Sequence, residues 1–189
     1  MTFLTNDEKN NLSNFEEPNY NPNNFEEEKD LKEENKEIIH SRSFQEGDYE
    51  EYIQKLTRDS MKDFFVKHFG GWSDKVSKQK LFKVLKEGVV ELFFNDHEKF
   101  VGYVSFNPEK NDKNSLLIND IHVVKLFQRK SYGYQILQHV IACAKKANMK
   151  QIKVFVFKDN YAVNFYKKNG FEIQKDLEKS NSVIMVKKL

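Results

Sequence analysis

A basic turn in the second half of the chain has the composition of an anion-binding site. It reads QRKSYG, residues 128–133, and it directly precedes a run with helical periodicity. Unpaired N–H groups and the helix dipole favour an anion such as a pyrophosphate at a helix N-terminus. Arg129 and Lys130 add positive charge, and Gly133 lets the backbone come close to a ligand. The turn therefore predicts a phosphate-binding loop, while an ordinary helix start stays open as the alternative.

A second stretch offers a tyrosine hydroxyl. It reads DNYAVNFYKKNGFEI, residues 159–173, with a polar start, a helix-like run and an Asn-Gly break before a short strand. The helix closes with Phe165 and Tyr166. One interpretation is a packed surface helix, and the other is a helix that presents the Tyr166 hydroxyl to a site. This stretch alone leaves both open.

Together the two stretches resemble the GNAT superfamily of acyl-CoA-dependent N-acyltransferases, and the resemblance covers residues 38–189. The phosphate loop of that family runs Gln/Arg-x-x-Gly-x-Gly/Ala, and Ser131 stands here at its first glycine. Its later segment runs Asn-x-x-Ala-x-x-Phe/Leu-Tyr-x-x-x-Gly-Phe. Asp159 takes the place of the leading Asn, and Asn160 follows one position later. The positions that match are Gln128, Gly133, Ala162, Phe165, Tyr166, Gly170 and Phe171.

The resemblance implies acetyl-CoA as acyl donor, lying in a cleft between the strands of residues 115–124 and 151–157. A backbone N–H on the first of these strands would stabilise the oxyanion, an amine would attack, and Tyr166 would protonate the CoA thiolate. Asn119 is the second catalytic candidate. The pantetheine would pair with the backbone of Ile121, His122 and Val123. Either Asp159 or Asn160 can cap the following helix, and Asn160 is the candidate for contact with the cofactor. The pyrophosphate would bind the backbone of Gln128, Arg129, Lys130, Ser131, Tyr132 and Gly133.

The proton acceptor is the part that the sequence does not supply. In related enzymes an acid or a histidine often stands nine or eleven residues before the loop glutamine. Those positions are Asn119 and Leu117 here, and neither titrates. We expect Asn119 to orient a water. Alternation along a strand predicts Asp120 and His122 on the opposite face, as a structural pair or as catalytic groups. A water chain, or an amine that arrives neutral, is the other possibility.

The elements that must position these residues follow the order β-α-α-β-β-β-α-β-α-β-β from about residue 37 to 189. That order predicts one α/β (α+β) domain with a GNAT-like, mostly antiparallel central sheet, flanking helices and splayed central strands. Asp48 and Glu51 suggest a capping box, Ser73 a second helix start, and VVELFFN and FVGYVSF a hairpin. The helix after the basic turn places Ile136, Leu137, Val140, Ile141 and Ala144 on one face.

The acceptor pocket is expected from the first two helices and the 107–114 loop. FFVKHFGGWSDK, residues 64–75, places His68, Trp72 and three phenylalanines beside a Gly-Gly break. These aromatics are predicted either to line a pocket or to anchor the helix pair. The residues alone do not decide between the two.

Charge divides the chain into two parts. The formal net charge is +2, but residues 1–40 carry −7 and residues 41–189 carry +9. We expect residues 1–36 to be a disordered acidic Asn/Glu-rich extension and residues 37–189 to be the N-acetyltransferase domain. A basic domain suits a nucleic acid, a phospholipid surface or a phosphorylated cofactor. Dispersed Lys and Arg without a recognition motif argue against nucleic acid.

Other features limit location and partners. No apolar run is long enough to span a membrane, and the start lacks a signal peptide pattern, so we expect a cytoplasmic protein with no membrane partner. The single cysteine, Cys143, excludes an internal disulfide and a cysteine-based zinc cluster, so no metal is predicted. A homodimer is left open.

The leading functional hypothesis is acetyl transfer from acetyl-CoA to a primary amine of a small molecule. Glucosamine-6-phosphate N-acetylation is an alternative, because NDIHVV and NFYKKNGF resemble segments of those enzymes. Protein N-terminal or lysine acetylation is another. A hypothesis from a different class is a non-catalytic acyl-CoA-binding module, which Ser131, the shifted Asn160 and the missing base would favour.

Overall fold

The elements follow one another in the predicted order. The computed structural model describes residues 37–189, so the predicted disordered extension, residues 1–36, lies outside the described part. None of the helices in this described part is long and apolar enough to cross a bilayer. The elements are β1 Ile39–Ser43, α1 Gln54–Phe69, α2 Asp74–Glu87, β2 Val89–Asn95, β3 Phe100–Pro108, β4 Ser115–Val123, α3 Tyr132–Lys146, β5 Gln151–Phe157, α4 Ala162–Lys168, β6 Glu172–Leu177 and β7 Ser182–Lys188.

Seven strands form a single sheet in the order β1-β2-β3-β4-β5-β7-β6. Every neighbouring pair is antiparallel except β4 and β5, which run parallel. The connection from β4 to β5 passes through α3, as a parallel crossover requires. The prediction of a mostly antiparallel sheet with flanking helices is confirmed.

The sheet has a hydrophobic core on each face. The predicted apolar face of α3 is buried, from Ile136 to Ala144, and it packs with strand residues such as Val104 and Ile152. On the opposite face α1 and α2 cover a second cluster that includes Leu81, Leu92 and Tyr103. Helices on both faces leave the two central strands as the place where a ligand reaches the sheet.

Those central strands separate toward their C-terminal ends. β4 and β5 are paired at four positions, from Ser115 with Gln151 to Ile118 with Val154. Beyond that point β4 continues to Val123 and β5 to Phe157 without further pairing to each other, although each stays paired with its other neighbour. The unpaired ends open a cleft in the middle of the sheet, which confirms the predicted splay. Unpaired backbone groups here can pair with a ligand instead.

The predicted capping box is wrong. Asp48 does not cap a helix: its carboxylate accepts from the Gln45 N–H at 2.7 Å and pairs with both Arg42 terminal nitrogens at 2.7 and 2.8 Å. A two-pronged Arg–carboxylate pair is stronger than an exposed cap bond, so the arginine takes the carboxylate. The Ser73 prediction is confirmed, since its Oγ accepts from the Val76 N–H at 3.4 Å.

Candidate active site

The loop before α3 presents backbone and positive charge to an anion. Arg129 and Ser131 both adopt the left-handed conformation, with φ of 62° and 63°. Ser131 thus takes the backbone geometry of a glycine, at a cost of about 1–2 kcal/mol. Within residues 37–189 no ion pair engages Lys125, Arg129 or Lys130. The first turn of α3 also leaves N–H groups without intrahelical partners, so the loop can receive a phosphate.

Tyr132 and Gly133 contribute to this loop in different ways. Tyr132 is 1% exposed, its ring meets Phe127 edge-on, and its buried hydroxyl has no partner in the described chain. It can therefore offer only its backbone. A Cβ placed on Gly133 would meet nothing closer than 3.8 Å, from Phe165 and Val123. The protein's own packing does not require a glycine there, which fits a role in approaching a ligand.

The backbone of β4 alternates between its neighbour β3 and the cleft. The Val124 N–H donates to the Val101 carbonyl at 2.8 Å, so by alternation the backbone of His122 also faces β3. The backbone groups of Ile121 and Val123 then point into the cleft. This differs from the prediction for His122, whose side chain rather than its backbone faces the cavity. The Gln128 amide donates to the Val123 carbonyl at 3.0 Å and fixes the loop to the strand.

Tyr166 combines both predicted roles of its helix. The residue is 5% exposed, and its ring meets Phe165 and Phe171 edge-on at 5.2 and 5.1 Å. It also lines the cavity, and no hydrogen bond to its hydroxyl occurs among residues 37–189. Burial raises its pKa, and the negative charge of Asp120 raises it further. The hydroxyl therefore keeps its proton at neutral pH and can donate it.

A bulge in β4 changes which side chains reach the cavity. Ser105 pairs with Asp120, but the next residue of β3, Phe106, pairs with Ile118, which leaves Asn119 as the extra residue. The predicted alternation fails here. The Asn119 amide donates to Asn107 Oδ1 at 2.7 Å, while Ser105 Oγ donates to Asp120 Oδ2 at 2.6 Å. These two β3 partners are two residues apart and share a face, so Asn119 and Asp120 face the same side.

Asp120 and His122 form a pair at the cleft. Asp120 Oδ1 lies 3.6 Å from His122 Nε2, and the two side chains are 28% and 10% exposed. Burial raises the pKa of the Asp120 carboxyl, but His122 and the Ser105 hydroxyl outweigh it, and the pKa lies below its usual value. The His122 ring packs against the Tyr103 ring with 5.4 Å between ring centroids, and the Tyr103 hydroxyl is hydrogen-bonded to the Thr57 hydroxyl at 2.7 Å. The Asp120 carboxylate is thus charged, and its partner His122 is fixed by packing against Tyr103.

The polar residues of β3 belong to this site, and the sequence analysis missed them. Ser105 is fully buried and Asn107 nearly so. The signal lies in GYVSFNP, where small polar residues alternate with apolar ones inside an otherwise apolar strand. Such buried polar side chains need partners, and these ones orient the residues of β4.

Asp159 and Asn160 have different partners in the structure, which decides which of them caps α4. Asn160 Oδ1 accepts from the Ala162 N–H at 2.9 Å and so caps α4, and the residue also lines the cavity. Asp159 turns outward instead and pairs with Lys67 at 2.6 Å and His68 at 3.1 Å, both on α1. Asn160 is therefore the member of the pair that faces the cavity.

A cavity of about 1090 Å³ joins these elements. It runs from the splayed strands, past Tyr166 and the Asp120–His122 pair, to the junction of α1 and α2. The aromatic segment of α1 both lines this cavity and anchors the helix, because its rings pack on Phe157 of β5. No cluster of His, Cys, Asp and Glu suited to a metal ion occurs in the part of the chain described. The aromatic side chains of its outer part are Phe65, Phe69, Trp72, Phe157 and Tyr161.

Solved structures share this fold at low sequence identity. PaiA N-acetyltransferase from Thermoplasma acidophilum, in complex with coenzyme A, aligns with a TM-score of 0.64 at 20% identity over 80% of this chain and 99% of that chain. Ard1 from Thermoplasma volcanium gives 0.62 at 18% identity over 80% and 97%. A GNAT family acetyltransferase from Elizabethkingia anophelis with acetyl-CoA bound gives 0.60 at 20% identity over 80% and 98%.

The sequence itself identifies the family. No curated protein matches the chain. Residues 50–171, which are well over half of the chain, match the family model described as Acetyltransferase (GNAT) family. The matched range runs from the start of the first helical segment through the splayed strands to the end of the tyrosine-bearing helix. The chain therefore belongs to the Acetyltransferase (GNAT) family.

Proposed function

We propose that the chain is an acetyl-CoA-dependent N-acetyltransferase whose acceptor is a primary amine of a small molecule. The observation that carries this proposal is the Tyr166 hydroxyl, which lines the cleft between β4 and β5 and has no hydrogen bond within residues 37–189. A hydroxyl kept protonated beside an open strand edge is suited to donate a proton to a leaving group.

The residues around the cleft fit the parts of acetyl-CoA. The charged loop of residues 128–133 would take the pyrophosphate, and the backbone of Ile121 and Val123 would pair with the pantetheine arm. Asn160 lines the same cavity, and its amide nitrogen, which donates no hydrogen bond within residues 37–189, could contact the cofactor as well. Coenzyme A in the PaiA structure and acetyl-CoA in the Elizabethkingia anophelis structure, both of the same fold, support acetyl-CoA as the ligand of this cleft.

The chain's own groups then divide the chemistry. When bound, acetyl-CoA supplies an acetyl thioester. A backbone N–H of β4 that points into the cleft donates to the carbonyl oxygen as negative charge develops there. The amine forms the new C–N bond while the C–S bond breaks. Tyr166 would give its proton to the departing sulfur. The proton that the attacking nitrogen loses would then return to Tyr166.

Asp120 is our proposed proton acceptor. Its carboxylate lies in the same cavity as Tyr166 and stays charged, so it can attract an ammonium group. A lowered pKa makes it a weak base, so it would accept the proton only on the way to solvent. His122 lies behind it at 3.6 Å and stabilises the carboxylate. Asn119 is bonded to Asn107, so its predicted role in orienting a water is better assigned to positioning. A water chain remains the alternative route for the proton.

The alternative of a non-catalytic binding module loses part of its basis. Ser131 adopts the left-handed geometry that a glycine would have, and Asp120 places a titratable group in the cavity. Identities under 25% to the solved structures relate the fold alone, so the Ard1 similarity does not favour a protein acceptor.

The test is release of free thiol from acetyl-CoA in the presence of amines. The panel includes arylalkylamines, polyamines, aminoglycosides, glucosamine 6-phosphate and N-terminal peptides. Tyr166→Phe should lower kcat by about 10²-fold or more while the protein melts at nearly the same temperature, because the lost hydroxyl has no hydrogen-bond partner within residues 37–189. Absence of acetyl-CoA binding and of thiol release with every amine would overturn the proposal.

A further inference from the structure

The outer part of the cavity has a preformed aromatic wall, made of Phe65, Phe69, Trp72 and Phe157. The Phe65 ring contacts the other three at 5.4 to 5.7 Å between ring centroids. Such edge-on and tilted contacts are the favoured arrangements of aromatic pairs. The wall therefore holds its shape without a ligand.

Trp72 is fixed by more than ring packing. Its indole N–H donates to Asp74 Oδ1 at 2.8 Å. Arg58 holds the same carboxylate through two hydrogen bonds, at 2.9 and 2.6 Å. The indole is thus held by a chain of hydrogen bonds behind the wall, while it still lines the cavity. A fixed ring costs little entropy when it meets a ligand.

The wall is not closed by the protein itself. Phe69 is 54% exposed, and Phe65 and Trp72 are only partly buried. Covering aromatic surface with another apolar group removes it from water, and ring on ring adds a geometric preference. A planar apolar body is the ligand chemistry that this surface fits best.

The acidic residues of the cavity indicate where the amine of an acceptor would bind. Three acidic residues of the described chain line it. Glu87 pairs with Lys110 at 2.9 Å and Glu109 with Lys153 at 3.4 Å. Asp120 has His122 at 3.6 Å and no lysine or arginine within ion-pair distance in residues 37–189, while the Lys80 charge acts on it from further away. Asp120 is therefore the cavity carboxylate without a lysine or arginine ion pair, and it lies beside the splayed strands where the acetyl group would be transferred.

The same inventory argues against two other acceptor classes. A polyamine carries several ammonium groups and would need more than one free carboxylate. A sugar phosphate is best held by arginine forks, and no arginine among the described residues lines the cavity. Three lysines of the described residues line the cavity. Lys110 is paired with Glu87. Lys80 and Lys83 are exposed side chains on α2, and Lys80 Nζ lies over the Phe65 ring at 5.0 Å.

We propose that the acceptor is an arylalkylamine-type molecule: a primary amine carried on an alkyl linker from an aromatic ring, with the ring on the aromatic wall and the amine at Asp120. This inference rests on the proposed N-acetyltransferase function and specifies its substrate class. The chain supplies its own reporter, because Trp72 is its single tryptophan.

The experiment compares 2-phenylethylamine with n-butylamine, spermidine and glucosamine 6-phosphate as acceptors for the full chain. We expect kcat/KM for the ring-bearing amine to exceed that for n-butylamine by about tenfold or more. Titration of 2-phenylethylamine should also change Trp72 fluorescence saturably, and n-butylamine should not. Phe69→Ala should reduce the ring preference several-fold. The matched control is Phe82→Ala, a 39% exposed phenylalanine on α2 that does not line the cavity.

The outcomes separate this inference from the function on which it rests. Equal or better turnover of n-butylamine, spermidine or glucosamine 6-phosphate, with no Trp72 response to 2-phenylethylamine, would overturn the substrate class and leave the acetyltransferase intact. An equal loss of ring preference in Phe69→Ala and Phe82→Ala would also overturn it. Absence of thiol release with any amine would count against the function, whereas the fluorescence titration would still report on the wall.

Discussion

Asp120 is the side chain on which the proposed proton transfer depends most. It is charged, faces the cavity and forms an ion pair only with His122 among the described residues. Its pKa lies below the ordinary 3.8, so the group itself produces no acid limb in a rate profile above about pH 4.

Asp120→Asn should therefore lower kcat/KM by about 10²-fold at pH 7, because the arriving ammonium loses its proton acceptor. The loss should shrink as the pH approaches the pKa of the acceptor amine, since solvent then supplies neutral amine. Rates of thiol release measured from pH 6 to 10 check this. Ser105→Ala is the control, because it removes one hydrogen bond from the carboxylate and keeps the charge. A pH-independent loss would point to a structural role for Asp120.

A substitution at Gly133 can distinguish an effect on ligand binding from an effect on folding. A Cβ there meets only ordinary contacts at 3.8 Å, so Gly133→Ala should fold and gain a few tenths to about 1 kcal/mol from helix propensity. If a pyrophosphate approaches this backbone, the added methyl group should weaken acetyl-CoA binding by tenfold or so. Calorimetric binding and thermal melting give the two values.

Unchanged affinity in Gly133→Ala would mean that the pyrophosphate does not approach this turn. Gly102→Ala serves as the contrast. A Cβ there would lie 2.1 Å from the His122 carbonyl oxygen, so that variant should lose stability outright.

Among the elements, the loop between β3 and β4 is the one held most by charge. The Asp112 carboxylate accepts from Ser115, Lys153 and Gln151, and these bonds depress its pKa far below 3.8. A depressed carboxyl pKa contributes stability above the unfolded value of 3.8, and that stability is lost as the pH falls through the folded value.

Asp112→Asn should accordingly destabilise the protein at pH 7. The difference from the wild type should become smaller as the pH falls below 3.8, because the wild-type carboxyl then takes up a proton in the unfolded state and no longer favours the folded state as strongly. Urea unfolding at pH 7 and at pH 2 measures the two differences. Glu178→Gln, on an exposed turn at the far edge of the sheet, is the control. An equal penalty at both pH values would assign the role of Asp112 to hydrogen bonding alone.

The order of elements was predictable because each carries its own signal. The hairpin turn, the amphipathic α3 and the Ser73 cap are local patterns, and all are confirmed. The bulge at Asn119 was not predictable. It arises from how β4 pairs with β3, and no residue of NDIHVV indicates it. One inserted residue reverses the face of every following side chain, which is why Asp120 was placed on the wrong side.

The Asp48 prediction failed for a related reason. Its spacing to Glu51 is that of a capping box, but Arg42 comes from β1 and takes the carboxylate across the fold. Local sequence cannot report a competitor that lies elsewhere in the chain. The start of α3 after the basic turn could be predicted from the sequence, but the left-handed backbone of Arg129 and Ser131 required the structure. The phosphate-binding role of residues 128–133 stays a prediction.

At the scale of the whole molecule, charge is distributed unevenly along the chain. Residues 1–36 hold ten acidic and four basic side chains, so residues 37–189 alone carry a net charge of +8 instead of +2. A more positive molecule attracts a polyanionic cofactor from a distance, and salt screens that attraction.

Removal of residues 1–36 should therefore raise the association rate of acetyl-CoA about two- to tenfold at low ionic strength, with the difference vanishing near 0.5 M salt. Stopped-flow binding at several salt concentrations tests this. The melting temperature of the shortened chain is the control for folding. An association rate that does not change at low salt would show that only the loop charges matter.

The four paired positions between β4 and β5 have a consequence for engineering. They are the only strand pairing between β1–β4 and the β5–β7–β6 half within residues 37–189. A break in the connection after α3 would place the phosphate loop on one fragment and Tyr166 with Asn160 on the other. The cofactor would then touch both pieces and join them. Two such fragments, each fused to half of a reporter, would make reassembly a readout of acetyl-CoA concentration.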